Sequence, residues 1–149
     1  MPGSLFDSSV WIAAIFPPHP FHDQAQTALH DATPAAPAVF CRSTQQSILR
    51  LASTPALLKT YRADGLTNRD ALVALDALLA LAQVCEREEP PGTVALWHRL
   101  AGRDTASTKV WMDAYLAAFA MGGALRLVTL DHDFKTYQAR GLDLLLLNP

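Results

Sequence analysis

The chain has 149 residues, half of them hydrophobic and 17% charged, which suits one packed domain spanning 1–149. Its formal charge of −2 excludes a globally basic nucleic-acid binder, so a polyanionic partner would have to meet a local patch. Cys41 and Cys85 lie far apart with no CxxC spacing, which argues against a zinc site and against a disulfide framework. No run approaches the ~18 apolar residues of a membrane span. No charged region followed by a signal-like apolar stretch opens the chain, so a cytoplasmic protein without membrane contact is expected.

In chain order, "SLFD" is too short for a helix and reads as a strand feeding the helix "SSVWIAAIF", with Ser8 or Ser9 near its N-terminus. "PPHP" stops that helix. "FHDQAQTALHDA" has helical spacing (Phe21, Ala25, Ala28, Leu29) and ends at the turn-rich "TPAAP". "AVFC" is a second short strand. "STQQSILRLAS" is a helix ending before Pro55, and "TNRDALVALDALLALA" is the clearest amphipathic one, capped by Thr67 or Asn68. "QVCE" reads as a third strand and "EREEPPG" as a loop. Two helices follow, "TVALWHRLAG" and "KVWMDAYLAAFAMGG", the second stopped by Gly122 and Gly123. A strand "LRLVTL", a helix "HDFKTYQAR" closed by Gly141 and a last strand "LDLLLL" complete the chain. This alternation, with near-continuous apolar strands, predicts an α/β fold: a mostly parallel sheet of four to five strands between two helical layers.

Ligands collect beyond the carboxyl ends of such strands, near the point where strand order reverses. Asp7 and Asp131 each end an apolar strand, and neighbouring strands would bring them within reach of one ion. Asp113 opens the helix that feeds the second strand, and Leu116, Ala117 and Ala120 beside it would face the sheet, so it points inward. Two unit charges ~5 Å apart at an effective dielectric of ~20 repel by about 3 kcal/mol, so a cation is needed. Oxygen-only donors suit Mg²⁺ or Mn²⁺. Alone, each of these aspartates reads as a helix cap or turn former.

The blocks "LFDSSVWIAAIF", "CRSTQQSILRLAS", "STKVWMDAYLAAFA" and "LRLVTLDHDF", in this order, resemble the PIN-domain toxins of VapBC toxin–antitoxin modules, in the bacterial VapC branch. The resemblance runs over nearly the whole chain. It implies a three-layer α/β/α PIN-like domain and an Mg²⁺- or Mn²⁺-dependent endoribonuclease that cuts single-stranded RNA. It also implies a homodimer and a cognate VapB-like antitoxin that lays a peptide across the acidic cleft. Three family acids fall on Asp7, Asp113 and Asp131. At the fourth position the chain reads "TQQ", so Gln45 stands where many members have Glu. Its carbonyl oxygen could ligate weakly or through water, but it carries no charge and cannot act as a base. Thr129 matches the small hydroxyl residue two positions before the final acid. Asp133 is an auxiliary ligand candidate, with capping of the following helix as the alternative.

Arg42, Arg50, Lys109 and Lys135 flank the acidic blocks and are candidates for holding RNA phosphates. His132 is a weak proton-shuttle candidate. His19 and His22 have metal-like spacing but sit in a Pro-rich turn, read as a surface loop. Trp97 and Trp111 read as core. Two rivals differ in class. A degenerate PIN domain, suggested by Gln45, would bind RNA or protein without cutting. A phosphoaspartyl hydrolase with Asp7 as nucleophile wants an acid at position 9, where the chain has Ser9.

Overall fold

The computed structural model describes residues 2–149. In chain order it contains β1 (Ser4–Phe6), α1 (Ser8–Ile15), α2 (His22–Asp31), β2 (Ala38–Phe40), α3 (Arg42–Leu51), α4 (Pro55–Thr60) and α5 (Asn68–Leu79). These are followed by β3 (Val84–Glu86), α6 (Thr93–Ala101), α7 (Val110–Gly122), β4 (Arg126–Thr129), a 3-10 helix (His132–Arg140) and β5 (Leu144–Leu146). The five strands form one sheet in the order β3-β2-β1-β4-β5, and every pairing is parallel.

The strands are almost wholly apolar because both faces are covered, and successive side chains feed opposite cores. Phe6, Ala38, Phe40 and Val128 point into a core shared with α1 to α5, where Trp11 stacks on Phe40 with ring centroids 3.8 Å apart. Leu5, Val39 and Leu127 point the other way, into a core built with α6, α7 and the 3-10 helix. Helices α1 and α7 are the most apolar because they lie closest to the sheet: Val10 to Ala14 are buried in one, and Ala114 and Leu116 to Ala120 in the other. The chain winds from β1 outward to β3 and then crosses back to place β4 on the other side of β1. Strand order therefore reverses between β1 and β4, and both strands deliver their carboxyl ends to the same crevice.

Three local expectations are corrected. A short helix, α4, was not expected; Pro55 opens it, where its missing N–H costs nothing. The segment after Asp131 is a 3-10 helix instead of an α-helix. Phe134 and Tyr137 are both buried there, and three residues per turn aligns them on one face. Trp111 is not core but 52% exposed. The buried stripe of α7 runs through Val110, Ala114 and Ala117, and Trp111 lies off that stripe in the first turn. Trp97 is partly buried against the core beneath it, and its indole N–H donates to the Trp111 carbonyl at 2.8 Å.

Candidate active site

The register between β1 and β4 sets Phe6 opposite Val128, so Asp7 and Thr129 emerge side by side. Asp7 is the N-cap residue of α1 and only 8% exposed. The fully buried Thr129 hydroxyl donates to Asp7 Oδ2 at 2.8 Å and accepts from the backbone N–H of Asp131 at 2.9 Å. One hydroxyl thus ties the first acid to the backbone of the last. Ser9 donates to the same Asp7 oxygen at 3.0 Å and accepts from Leu130 N–H at 3.3 Å. Burial pushes the Asp7 carboxyl above the usual carboxylate range, against the pull of the Thr129 and Ser9 hydroxyls.

The remaining acids gather at the mouth of the crevice. Asp131 caps the 3-10 helix, its Oδ1 accepting from Asp133 N–H at 2.9 Å. The capping role suggested for Asp133 therefore belongs to Asp131, which frees Asp133 to turn toward the other acids. One carboxylate oxygen from each of Asp113, Asp131 and Asp133 lies within 4.8 Å of the others. Lys109 Nζ sits among them, 2.5 Å from Asp131, 2.6 Å from Asp133 and 3.5 Å from Asp113. Burial and the neighbouring charges of Asp131 and Asp7 push Asp113 up to about 6, with Lys109 acting against them. Asp131 lies below its ordinary value because the Lys109 ammonium and the Asp133 N–H outweigh its partial burial. Lys109 itself is held above the usual lysine range by Asp131 and Asp133 despite the cost of partial burial.

Three hard oxygen donors around a point already held by an ammonium suit a small divalent cation, which would have to displace that ammonium. Asp133 joins Asp113 and Asp131 in this grouping, and the buried Asp7 is close enough for its charge to act on Asp113 and to feel that of Asp131.

Gln45 is also buried, in the first turn of α3. Its Oε1 accepts from Arg42 Nη1 at 2.9 Å, and its Nε2 has no hydrogen-bond partner among the described residues. The oxygen expected to face a cation is therefore committed to a guanidinium. Arg42 is committed in turn, pairing with Glu86 at 2.8 Å. Arg50 lines a separate hollow with Leu49, Ser53 and Ala71. Lys135 is exposed and makes no ion pair among the described residues. His132 is drawn away to the carbonyl of Asn148, 2.5 Å from its Nε2. His19 and His22 make local contacts, with Phe21 N–H and the Ala13 carbonyl respectively. Arg103 was not anticipated; it lines the hollow that holds Lys109, Asp113 and Asp133. It lies in an irregular segment, where no periodicity marks the direction of a side chain.

A parallel sheet with clustered carboxylates at its switch point defines an α/β domain with an acidic, cation-ready centre. The PIN domain family model matches residues 4–139, and the chain belongs to that family, in its VapC branch. It is 44% identical over 146 residues to Ribonuclease VapC41 of Mycobacterium tuberculosis, covering 96% of this chain and 97% of that protein. Among solved structures, VapBC-1 from nontypeable Haemophilus influenzae superposes with a TM-score of 0.66 at 13% identity, over 98% of each chain. The Mycobacterium tuberculosis VapC20, a sarcin-ricin loop cleaving toxin, gives 0.61 at 19% identity, over 94% of this chain and 96% of that one. At such identities these two likenesses speak for the fold.

Proposed function

We propose that the chain is the toxin of a toxin–antitoxin pair, a divalent-metal-dependent endoribonuclease that hydrolyses phosphodiester bonds in single-stranded RNA. The observation that carries this reading is the convergence of Asp113, Asp131 and Asp133 around one point at the carboxyl ends of β1 and β4. The 44% identity to a ribonuclease over nearly the whole chain supports it. Mg²⁺ and Mn²⁺ both suit oxygen-only donors. When bound, such an ion supplies activated water and neutralises charge developing on the phosphate.

The chain's own residues divide the remaining work. Asp113, Asp131 and Asp133 would hold the ion, while Asp7 fixes the Thr129 hydroxyl, which sets the backbone of Asp131. Lys109 keeps the acids together while no ion is there. Water attacks the phosphorus and the P–O3′ bond breaks, the 3′-oxygen taking up a proton, so the products are a 5′-phosphate and a 3′-hydroxyl. A VapB-like antitoxin is the expected protein partner, silencing the site with a cationic side chain that complements the acids. No helix among the described residues is long and apolar enough to cross a membrane, and we assign the activity to the cytoplasm, where RNA is met.

A second reading, binding without cutting, is favoured by Gln45, whose position lacks a carboxylate and whose oxygen is committed to Arg42. Incubating the purified chain, freed of any partner, with total cellular RNA and Mg²⁺ or Mn²⁺ separates the two. Cutting that is lost on chelation and in Asp131→Asn supports the nuclease. Products with 2′,3′-cyclic phosphate ends would refute hydrolysis by water, and cutting only by Gln45→Glu would favour the binding module.

A further inference from the structure

A cluster of carboxylates repels a polyanion, so RNA can approach it only along a surface that offers uncommitted positive charge. The cations nearest the centre are already occupied: Lys109 by the three acids and Arg42 by Glu86. One side of the crevice differs. Arg103 lines the hollow that contains Lys109, Asp113 and Asp133. It also lines an adjoining hollow with Arg99, Arg140, Thr136 and Tyr137. All three arginines are exposed, and none makes an ion pair among the described residues.

The backbone builds this convergence from distant segments. Arg99 lies in the last turn of α6, and Arg140 in the last turn of the 3-10 helix that begins at the acids. Between them the chain breaks at Gly102, where a Cβ would come within 2.9 Å of the His98 carbonyl oxygen. That turn brings the Arg103 guanidinium to 5.9 Å from the centre of the Tyr137 ring, a contact that orients the cation without neutralising it. Two consecutive hollows, one acidic and one basic, therefore share a single guanidinium.

We propose that Arg99, Arg103 and Arg140 form a phosphate-binding track that leads single-stranded RNA into the acid cluster, with Arg103 as its central clamp. The track rests on the ribonuclease reading above, and its test separates the two. Binding of a fluorescein-labelled, mixed-sequence oligoribonucleotide is measured by anisotropy over a series of KCl concentrations, with chelator present so that nothing is cut. Each phosphate contact in a single strand contributes about 0.7 to the slope of log affinity against log salt. Arg103→Ala is expected to flatten that slope by about 0.7 and the triple alanine variant by about 2. Arg103→Lys, which keeps the charge, keeps the slope. Arg69→Ala, on α5 in the opposite helical layer and without an ion pair among the described residues, leaves the affinity unchanged. A triple variant with the parent's slope overturns the track, and so does an equal loss in Arg69→Ala. Parallel cleavage reactions with Mn²⁺ keep the two readings apart. A parent that cuts while the triple variant retains the full slope sinks the track alone. A parent that binds through these arginines but never cuts sinks the nuclease reading alone, and a parent that does not bind RNA sinks both.

Discussion

Lys109→Met tests the idea that the ammonium holds the place of a divalent ion. The substitution keeps an unbranched apolar stem and removes one positive charge from three carboxylates. Lys109 is about half exposed, and its contacts run 2.5 Å, 2.6 Å and 3.5 Å to Asp131, Asp133 and Asp113. Exposed ion pairs contribute about 0.2–1 kcal/mol each after screening and side-chain ordering, so three contacts sum to about 1–2 kcal/mol. An incoming ion must give up that much to displace the lysine. Losing the lysine should thus lower the melting temperature in chelator and tighten Mn²⁺ binding by about tenfold, since 1.4 kcal/mol is a factor of ten. Calorimetric titration with MnCl₂ reads the affinity, and melts with and without the ion read the linked stability. Lys109→Arg keeps the charge and should bind Mn²⁺ no more tightly than the parent. If Lys109→Met binds Mn²⁺ more weakly, or equally, the ammonium does not occupy the ion's place and the site lies elsewhere in the crevice.

The same geometry makes three more claims. Thr129→Val keeps the shape but strips Asp7 of a 2.8 Å donor and Asp131 N–H of its acceptor; a loss of about 2 kcal/mol is expected in urea unfolding, largely restored by Thr129→Ser. Asp113 has its carboxyl raised from 3.8 to about 6 in the folded chain, so the folded state binds that proton more tightly than the unfolded one. Ion-free stability should then fall as pH rises from about 4 to about 6, while Mn²⁺-dependent stabilisation should appear over the same rise. Asp113→Asn should flatten the first trend and abolish the second, and an unchanged ion-free profile would show that Asp113 is not the group responsible. Gln45→Glu places a carboxylate beside Arg42, which already donates to this side chain at 2.9 Å. The charge should be tolerated, with little change in melting temperature and faster cleavage in Mn²⁺; a melting temperature lowered by many degrees would mean that the guanidinium does not face the new charge.

What could be read from the sequence follows from how local each determinant is. Asp7 and Asp131 were legible because an apolar run ending in an acid needs no partner to be noticed, and parallel topology predicts where strand ends converge. Asp113 was legible through its helix, whose apolar neighbours fix the inward face. The direction of Asp133 is not legible locally, because it depends on which aspartate takes the cap, a choice made by a single N–H at 2.9 Å. The 3-10 helix could not be told from an α-helix over so short a stretch. Trp111 looked like core because composition does not reveal that it lies off the buried stripe of α7.

Gln45 shows most clearly how a distant residue redirects a site. Read locally, it is a family acid that lost its charge, and its remaining oxygen should still turn toward the cation. In the folded chain Arg42, one turn earlier on α3, reaches both that oxygen and Glu86 at the end of β3. Strands β2 and β3 are neighbours in the sheet, so the end of β3 lies beside the start of α3. The amide is thereby oriented with its oxygen toward the guanidinium and its Nε2 buried without a partner among the described residues. A buried unsatisfied donor costs about 1–3 kcal/mol; a carboxylate at this position would carry no such donor, and its second oxygen would be available to a cation. The chain thus keeps the architecture that a carboxylate at position 45 would use, while its charge comes from Asp113, Asp131 and Asp133 at the mouth and from the buried Asp7. Glu86→Gln discriminates between two roles for Arg42. If Glu86 shares the guanidinium, Glu86→Gln in the Gln45→Glu background leaves Arg42 to pair with the new carboxylate alone, which should raise the Mn²⁺ concentration that cleavage needs. An unchanged requirement would show that Glu86 does not compete for Arg42.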